Sequence, residues 1–249
     1  MDWHQRYIQQ ANWTRDLRDY IFHQAGLDKA RRILEVGCGT GAILSQLNTP
    51  VAIHGVDIEP AHVMQARVNA PAASVVHADA FSLPYPTHSF EIVFCHFLLL
   101  WLPNPLLALQ EMMRVTIAGG HIIAFAEPDY SSRIDKPKEL AQIGQWQADA
   151  LQEQGADPNI GGRLAELFYQ AGIQIIETGA ISQSTSEPPS SAEWELEWAV
   201  LKADLAGIVP DKTIQTIKEL DAKAWQNGER KLHVPTHYAW GIVTGDNAV

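Results

Sequence analysis

The chain has 249 residues, of which 46% are hydrophobic and 19% charged, with 17 Gly and 14 Pro. That balance is ordinary for a globular protein and excludes disordered, collagen-like and coiled-coil chains. The net charge of -11 lacks the basic excess that a phosphate-tracking groove needs, so no nucleic-acid partner is expected. Two cysteines cannot make a disulfide framework, and no pair has zinc-finger spacing, so no metal is expected.

The N-terminus shows no charged head followed by an apolar core, which gives no signal peptide. The longest apolar run, residues 92–102, is interrupted by His96 and falls short of the ~20 residues that span a bilayer. The expectation is a cytoplasmic protein with reduced thiols and no membrane partner. The size fits one α/β domain over 1–249 with insertions, burying roughly 70–75% of its unfolded surface.

Residues 1–28 read as helical and aromatic-rich, with Trp3, Tyr7, Trp13, Tyr20 and Phe22, suited to a lid. Residues 31–36 predict a strand that ends in a glycine cluster, and 41–47 a short helix. A second strand is expected over 51–56 and a helix with Pro60 at its start over 60–69. Strands follow over 74–77 and 90–95, then a helix over 105–115. Gly119-Gly120 reads as a turn into a strand over 121–127. This alternation implies a parallel sheet covered on both faces, with right-handed crossovers that place every strand's C-terminus on one edge. Ligands of such sheets sit at that edge.

Beyond it, 135–155 and 161–171 read as helices and 173–181 as a strand. The Ser-rich stretch 182–191 reads as a loop, 191–206 and 210–227 as helices, and 233–244 as a last, antiparallel strand. The helical insertions 132–160 and 183–230 are the material of a cap over a substrate pocket.

The densest signal is Glu35-Val36-Gly37-Cys38-Gly39-Thr40-Gly41. Glycines after a strand permit a tight turn and close ligand approach, and a helix start there would offer free N–H groups. Asp57 lies twenty residues past Gly37 at a strand end, where a carboxylate can accept from a ribose diol. His77-Ala78-Asp79-Ala80 and Leu83-Pro84 come next, then the strand Phe90-Glu91-Ile92-Val93.

With these pieces in this order, and Glu111 to Gly120 leading into Ala126-Glu127-Pro128, the sequence resembles the class I S-adenosylmethionine-dependent methyltransferases of small-molecule type. The resemblance implies a doubly wound, mostly parallel seven-stranded sheet of order 3-2-1-4-5-7-6, its last strand antiparallel. It implies S-adenosylmethionine as cofactor and S-adenosylhomocysteine as product. Glu35, Gly37, Cys38, Gly39 and Gly41 would face the methionine portion. Asp57 would hold the ribose hydroxyls, Ile58 would pack on adenine, and Asp79 and the Ala80 N–H would meet the adenine edge. Cys95 and His96 would line the sulfonium end. Tyr7, Trp13 and Thr14 are candidates from a helix that closes over the cofactor in some relatives.

Methyl transfer is a displacement at a carbon that the cofactor already activates, so a base is needed only for a protonated nucleophile. Base candidates are His96, Asp129, Tyr130, His233 and His237, with Glu127 read as a hydrogen-bonded strand end. The Asn- or Asp-Pro-Pro-aromatic tetrad of amide and adenine methyltransferases is absent, since Cys95-His96-Phe97-Leu98 stands there. Two other readings share the glycine turn. One is a non-catalytic S-adenosylmethionine-binding protein, the other a Rossmann NAD(P)-dependent oxidoreductase, in which Glu35 and Asp79 would have no task. The acceptor is a small molecule of undetermined identity, and the sequence leaves monomer or homodimer open.

Overall fold

The computed structural model describes residues 3–181 and 188–245. Helices α1 (Trp3–Trp13) and α2 (Arg15–Gln24) lead into β1 (Arg32–Val36), β2 (Ala52–Asp57), α3 (Pro60–Asn69), β3 (Ser74–His77), β4 (Phe90–His96), α4 (Pro105–Val115) and β5 (Thr116–Pro128). Then come β6 (Ile134–Lys136), α5 (Ala141–Glu153), α6 (Leu164–Gln170) and β7 (Gln174–Ile181). The chain ends in α7 (Ser191–Asp204), α8 (Asp211–Gln226), β8 (Lys231–His233) and β9 (Thr236–Ile242).

Seven strands form one sheet in the order β3-β2-β1-β4-β5-β9-β7. Counted without β6 and β8, this is the expected 3-2-1-4-5-7-6. β9 runs antiparallel between β5 and β7, and the other pairings are parallel. Alternate residues of a strand point to opposite faces, and the core divides accordingly. Leu34, Val36, Val93, Cys95, Ile122 and Ala124 pack with α4 and α6, whereas Ile33, Ile53, Ile92, Phe94, Ile123 and Phe125 pack toward α2 and α3. The last four residues of β1 are all buried, as a strand covered on both faces requires. Phe22 of α2 stacks edge-on against both Phe94 and Phe125, which fixes the N-terminal helices on that face.

Several expectations are corrected. Residues 41–47 make successive turns and a 3-10 segment, Leu44–Gln46, rather than a helix. Gly41 is held at φ +80, with Ala66 so close that an added Cβ would lie 3.1 Å from its Cα. Asn48-Thr49-Pro50 then ends the segment before a helix can repay its nucleation cost. Gly119-Gly120 lies within β5 at an irregularity in its pairing with β4. The helix expected from 135 begins at Ala141, because Ile134–Lys136 pairs with Lys231–His233 in a separate two-stranded sheet. Residues 160–163 are 3-10, and α6 starts at Leu164. The expected last strand is split between β8 and β9, with Pro235, which has no N–H to donate, in the break. Part of the Ser-rich loop, 182–187, lies outside the described residues.

α5, α7 and α8 enclose a third apolar cluster that includes Leu140, Ile143, Trp198, Leu201 and Ile214. An ionic lattice closes it. Buried Asp221 accepts from the Trp194 and Trp198 indoles at 2.7 and 3.1 Å and from Arg230 Nε at 2.6 Å. Arg230 also donates to Asp135, which is paired with Arg133.

Candidate active site

Register brings the sequence-selected residues to one edge. Val36 pairs with Val56 and Cys95, and Asp57 with His77, so the ends of β1, β2, β3 and β4 lie side by side. The Gly37 and Cys38 amides both donate to the Val56 carbonyl, at 2.8 and 2.9 Å, which folds the glycine turn back over β2. Gly37 has φ +73, and a Cβ there would stand 2.6 Å from Leu98 Cδ1, so both the backbone and the neighbour require glycine. Gly39 donates to Asp57 Oδ2 at 2.7 Å, and Glu59 N to Oδ1 at 2.9 Å. His62 Nδ1 lies 3.4 Å from the same Oδ1. Asp57 is thereby held at the mouth of the turn, with lone pairs left to accept.

Glu35 is 3% exposed, and its Oε2 has no hydrogen-bond partner. Burial raises its pKa well above the carboxylate range; Arg18 pulls it down and Asp57 pushes it up. Ile58 stands 63% exposed beside Asp57, an apolar side chain left uncovered. Asp79 sits two residues past the β3 end, its Oδ1 accepting from Phe81 N at 2.9 Å, and Ala80 beside it is buried. Cys38 and Cys95 are free, buried thiols; burial raises both pKa values. Cys95 packs in the α4-side core, so it backs the edge.

The N-terminal helices reach the same place. The Tyr7 ring would lie 3.3 Å from a Cβ on Gly39, and it meets His62 edge-on at 5.8 Å between centroids. Burial, and then the charge of Asp57, raises the Tyr7 hydroxyl pKa. Thr14 Oγ1 is 3.0 Å from His96 Nε2, and Trp13 stands edge-on to Phe97. Arg6 lies over the Trp13 ring at 4.9 Å and pairs with Glu197 of α7, tying α1 to the helical insertion.

The base candidates fare unequally. Burial, then the Arg18 cation, pushes the His96 pKa down to about 3, so its ring is neutral at physiological pH. Asp129 accepts from Ser131 N, Ser131 Oγ and Ser132 Oγ at 3.0, 2.5 and 2.8 Å. Burial alone would raise its pKa, but these bonds and nearby His237 hold it below the usual value. It caps a turn. Tyr130 lies near Arg133, whose guanidinium is 5.7 Å from its ring, and burial raises its hydroxyl pKa. His233 is set in the small β6-β8 sheet, paired with Ile134, and His237 packs by Gly161. Glu127 is fully buried and caps Leu98, Leu99 and Leu100 through their amides at 3.0, 2.9 and 3.1 Å. Burial lifts its pKa to about 7 against the pull of those three amides.

Sequence reasoning did not single out Arg18, Gln46 or His62. Arg18 falls one helical turn after Thr14, a spacing that places both on one helix face but names no chemistry. His62 falls in the first turn of α3, where only the folded crossover brings it to Asp57.

A methyltransferase-domain family model matches residues 34–124, which hold the glycine turn, Asp57, Asp79 and His96. Phosphatidylethanolamine N-methyltransferase of Cereibacter sphaeroides is 31% identical over 142 residues, covering 52% of this chain and 70% of that protein. The chain belongs to the class I S-adenosylmethionine-dependent methyltransferases. This methyltransferase is also 28% identical over 208 residues to the malonyl-acyl-carrier-protein O-methyltransferase of Halorhodospira halophila, across 74% of this chain and 69% of that one. In fold it resembles a protein from an antibiotic biosynthesis pathway of Anabaena variabilis, with TM-score 0.67 and 17% identity over 91% of this chain and 96% of that one. The cyclase SpnF shares the fold at TM-score 0.56 and 20% identity, over 92% and 82% of the two chains. Among the described residues of the methyltransferase, no helix is long and apolar enough to cross a membrane.

Proposed function

We propose that the enzyme binds S-adenosylmethionine between the glycine turn and α1, and methylates a small acceptor that is already nucleophilic at neutral pH. The observation that carries the cofactor placement is the buried, unpartnered Glu35 Oε2 above the turn. A buried carboxylate oxygen without a donor is costly and fits an ammonium group of the ligand. Asp57 accepts from the ribose hydroxyls, Ile58 covers one adenine face, and Asp79 with the Ala80 N–H meets the adenine edge. Bound there, the cofactor supplies a methyl carbon on a positively charged sulfur.

The chain's own part is alignment and a dry wall. Thr14 holds the His96 ring, and Phe97, edge-on to both His96 and Trp13, continues that wall. A neutral His96 avoids placing a second cation beside the sulfonium. His96 is a poor proton acceptor and Asp129 is engaged in three hydrogen bonds, so neither of these two is offered as a free base. An ionised oxygen or an unprotonated amine needs none. The insertions around α5, α7 and α8 act as the cap over that acceptor.

Calorimetry with S-adenosylmethionine, S-adenosylhomocysteine, NAD and NADP tests the first part. Binding of the first two, with about 2.7 kcal/mol of added stability at 100-fold the dissociation constant, is expected. Binding of NAD in their place would reject it. For the second part, a rate limb in the ordinary histidine range that disappears in His96→Asn would refute the base-free reading.

A further inference from the structure

β5 carries one residue too many for its pairing with β9. The register shifts between Ala124 and Glu127, and Ala126 between them takes φ +62, a left-handed conformation that is costly for a residue with a Cβ. Ile122 and Ala124 face the α4 side of the sheet, Ile123 and Phe125 the α2–α3 side, and Ala126 packs on the same side as Phe125. Strict alternation would have sent Glu127 to the α2–α3 side as well. The extra residue turns it to the α4 side, where Leu99 and Leu100 lie. Phe97, the residue after β4, is left-handed too, at φ +50, with its N–H donating to the Phe125 carbonyl at 3.2 Å. The next three amides converge on one carboxylate. Leu98 and Leu99 donate to Glu127 Oε1 at 3.0 and 2.9 Å, and Leu100 to Oε2 at 3.1 Å. A serine or asparagine at such a turn offers a single acceptor atom, whereas a carboxylate offers two. Glu127 is 0% exposed, and these amides offset its desolvation.

The turn held in this way presents two side chains to the site. Leu98 lies against the glycine turn, since a Cβ on Gly37 would stand 2.6 Å from its Cδ1 and 3.2 Å from its Cγ. Phe97 stands edge-on to His96 and to Trp13, with centroids 5.0 and 6.4 Å apart. Residues held in sparsely populated backbone conformations persist where their surroundings over-determine them, and they gather at ligand sites. We propose that Glu127 is a positioning residue for the cofactor site: through the three amides it holds Leu98 against the glycine turn and Phe97 in the wall beside His96. The inference rests on the cofactor reading above, in which the methionine portion lies on the glycine turn. It gives the bulge in β5 a task, which is to deliver a carboxylate from the fifth strand to the loop of the fourth.

The test is a double-mutant cycle read with two ligands. Calorimetric dissociation constants for S-adenosylhomocysteine and adenosine are measured at pH 8, above the value of about 7 to which burial lifts the Glu127 carboxyl. The proteins are wild type, Glu127→Ala, Glu127→Gln, Leu98→Ala and the double variants. Glu127→Ala is expected to weaken S-adenosylhomocysteine roughly 10-fold and adenosine, which lacks the methionine portion, less than about 3-fold. Leu98→Ala should change the ratio of the two affinities in the same direction. The double variant should lose no more than about 3-fold beyond either single one, because both act through one prop. Glu127→Gln, which keeps one acceptor oxygen, should fall between wild type and Glu127→Ala. A merely structural Glu127 would lower the melting temperature and leave the ratio of the two ligands intact, which overturns the proposal. Losses that multiply in the double variant overturn it as well. Should Glu127→Ala not fold, the cycle of Glu127→Gln with Leu98→Ala decides by the same ratio. Failure of wild type to bind S-adenosylhomocysteine would instead reject the cofactor reading, and the proposal with it.

Discussion

Replacing Asp57 separates the two tasks that the structure gives it. Its Oδ2 anchors Gly39 N at 2.7 Å and its Oδ1 anchors Glu59 N at 2.9 Å, so the carboxylate shapes the turn before any ligand arrives. Asp57→Ala removes both anchors and the acceptors of the ribose diol. A hydrogen bond to a charged group contributes roughly 1.5–3 kcal/mol, and water replaces part of the loss at this half-open edge. The expected net loss of cofactor affinity is about 2–3 kcal/mol, a rise in dissociation constant of roughly 30- to 150-fold. Calorimetry with S-adenosylhomocysteine reads it directly. A deoxyribose analogue then divides the loss. Wild type should discriminate against it, while Asp57→Ala should treat both ligands alike. An unchanged dissociation constant in Asp57→Ala would refute the ribose assignment. An equal penalty for the deoxy analogue in both proteins would leave Asp57 only its role in the turn.

Gly39→Val should abolish cofactor binding and methylation, since φ is +52 and the Tyr7 ring already lies at 3.3 Å from the added Cβ; normal turnover would contradict the turn geometry. Deleting residues 1–20 should impair turnover more than folding, because Ile21 and Phe22 keep α2's apolar anchor; a fully active truncation would reject the lid. Asp221→Ala should lower unfolding free energy by about 3 kcal/mol, by leaving two indoles without an acceptor and buried Arg230 with Asp135 as its remaining carboxylate; a denaturant midpoint near that of wild type would show the lattice to be dispensable. Glu127, raised to about 7, holds its proton more tightly folded than unfolded. Stability should therefore fall as pH rises from about 4.5 through about 7, by on the order of 3 kcal/mol. Glu127→Gln should flatten that slope in melts between pH 5 and 8, and an unaltered slope would refute it.

Where local chemistry specifies an element, sequence and structure agree closely. α3 and α4 begin at the prolines expected, each behind a side chain that caps it: Glu59 accepts from Ala61 N and Asn104 from Leu107 N. Alternation implied a parallel sheet and the family resemblance its strand order, and the glycine turn with Asp57 and Asp79 meets at one edge as that order requires. Agreement fails where tertiary contacts decide. The apolar run after Gly41 has helical composition, but Ala66 presses on its first turn and Pro50 closes it. The β6-β8 sheet joins residues about a hundred positions apart, and no local pattern announces it. His96 was found by position, but its loss of basicity comes first from burial and then from the Arg18 cation, both of which only the folded chain supplies.

Shared architecture leaves the chemistry open, since a cyclase superposes on this sheet at TM-score 0.56. What narrows it is charge kept where packing would not choose it. An apolar side chain in place of Arg18, or a glutamine in place of Glu35, would spare the fold a desolvation cost. By contrast, Arg230 and Asp221, equally buried, face each other at 2.6 Å and neutralise one another. Arg18 of α2 and Glu35 of β1 make no ion pair with each other, and the second pair is closed within the helical insertion. Charges that satisfy each other make scaffold; charges that stay apart invite a ligand to bridge them.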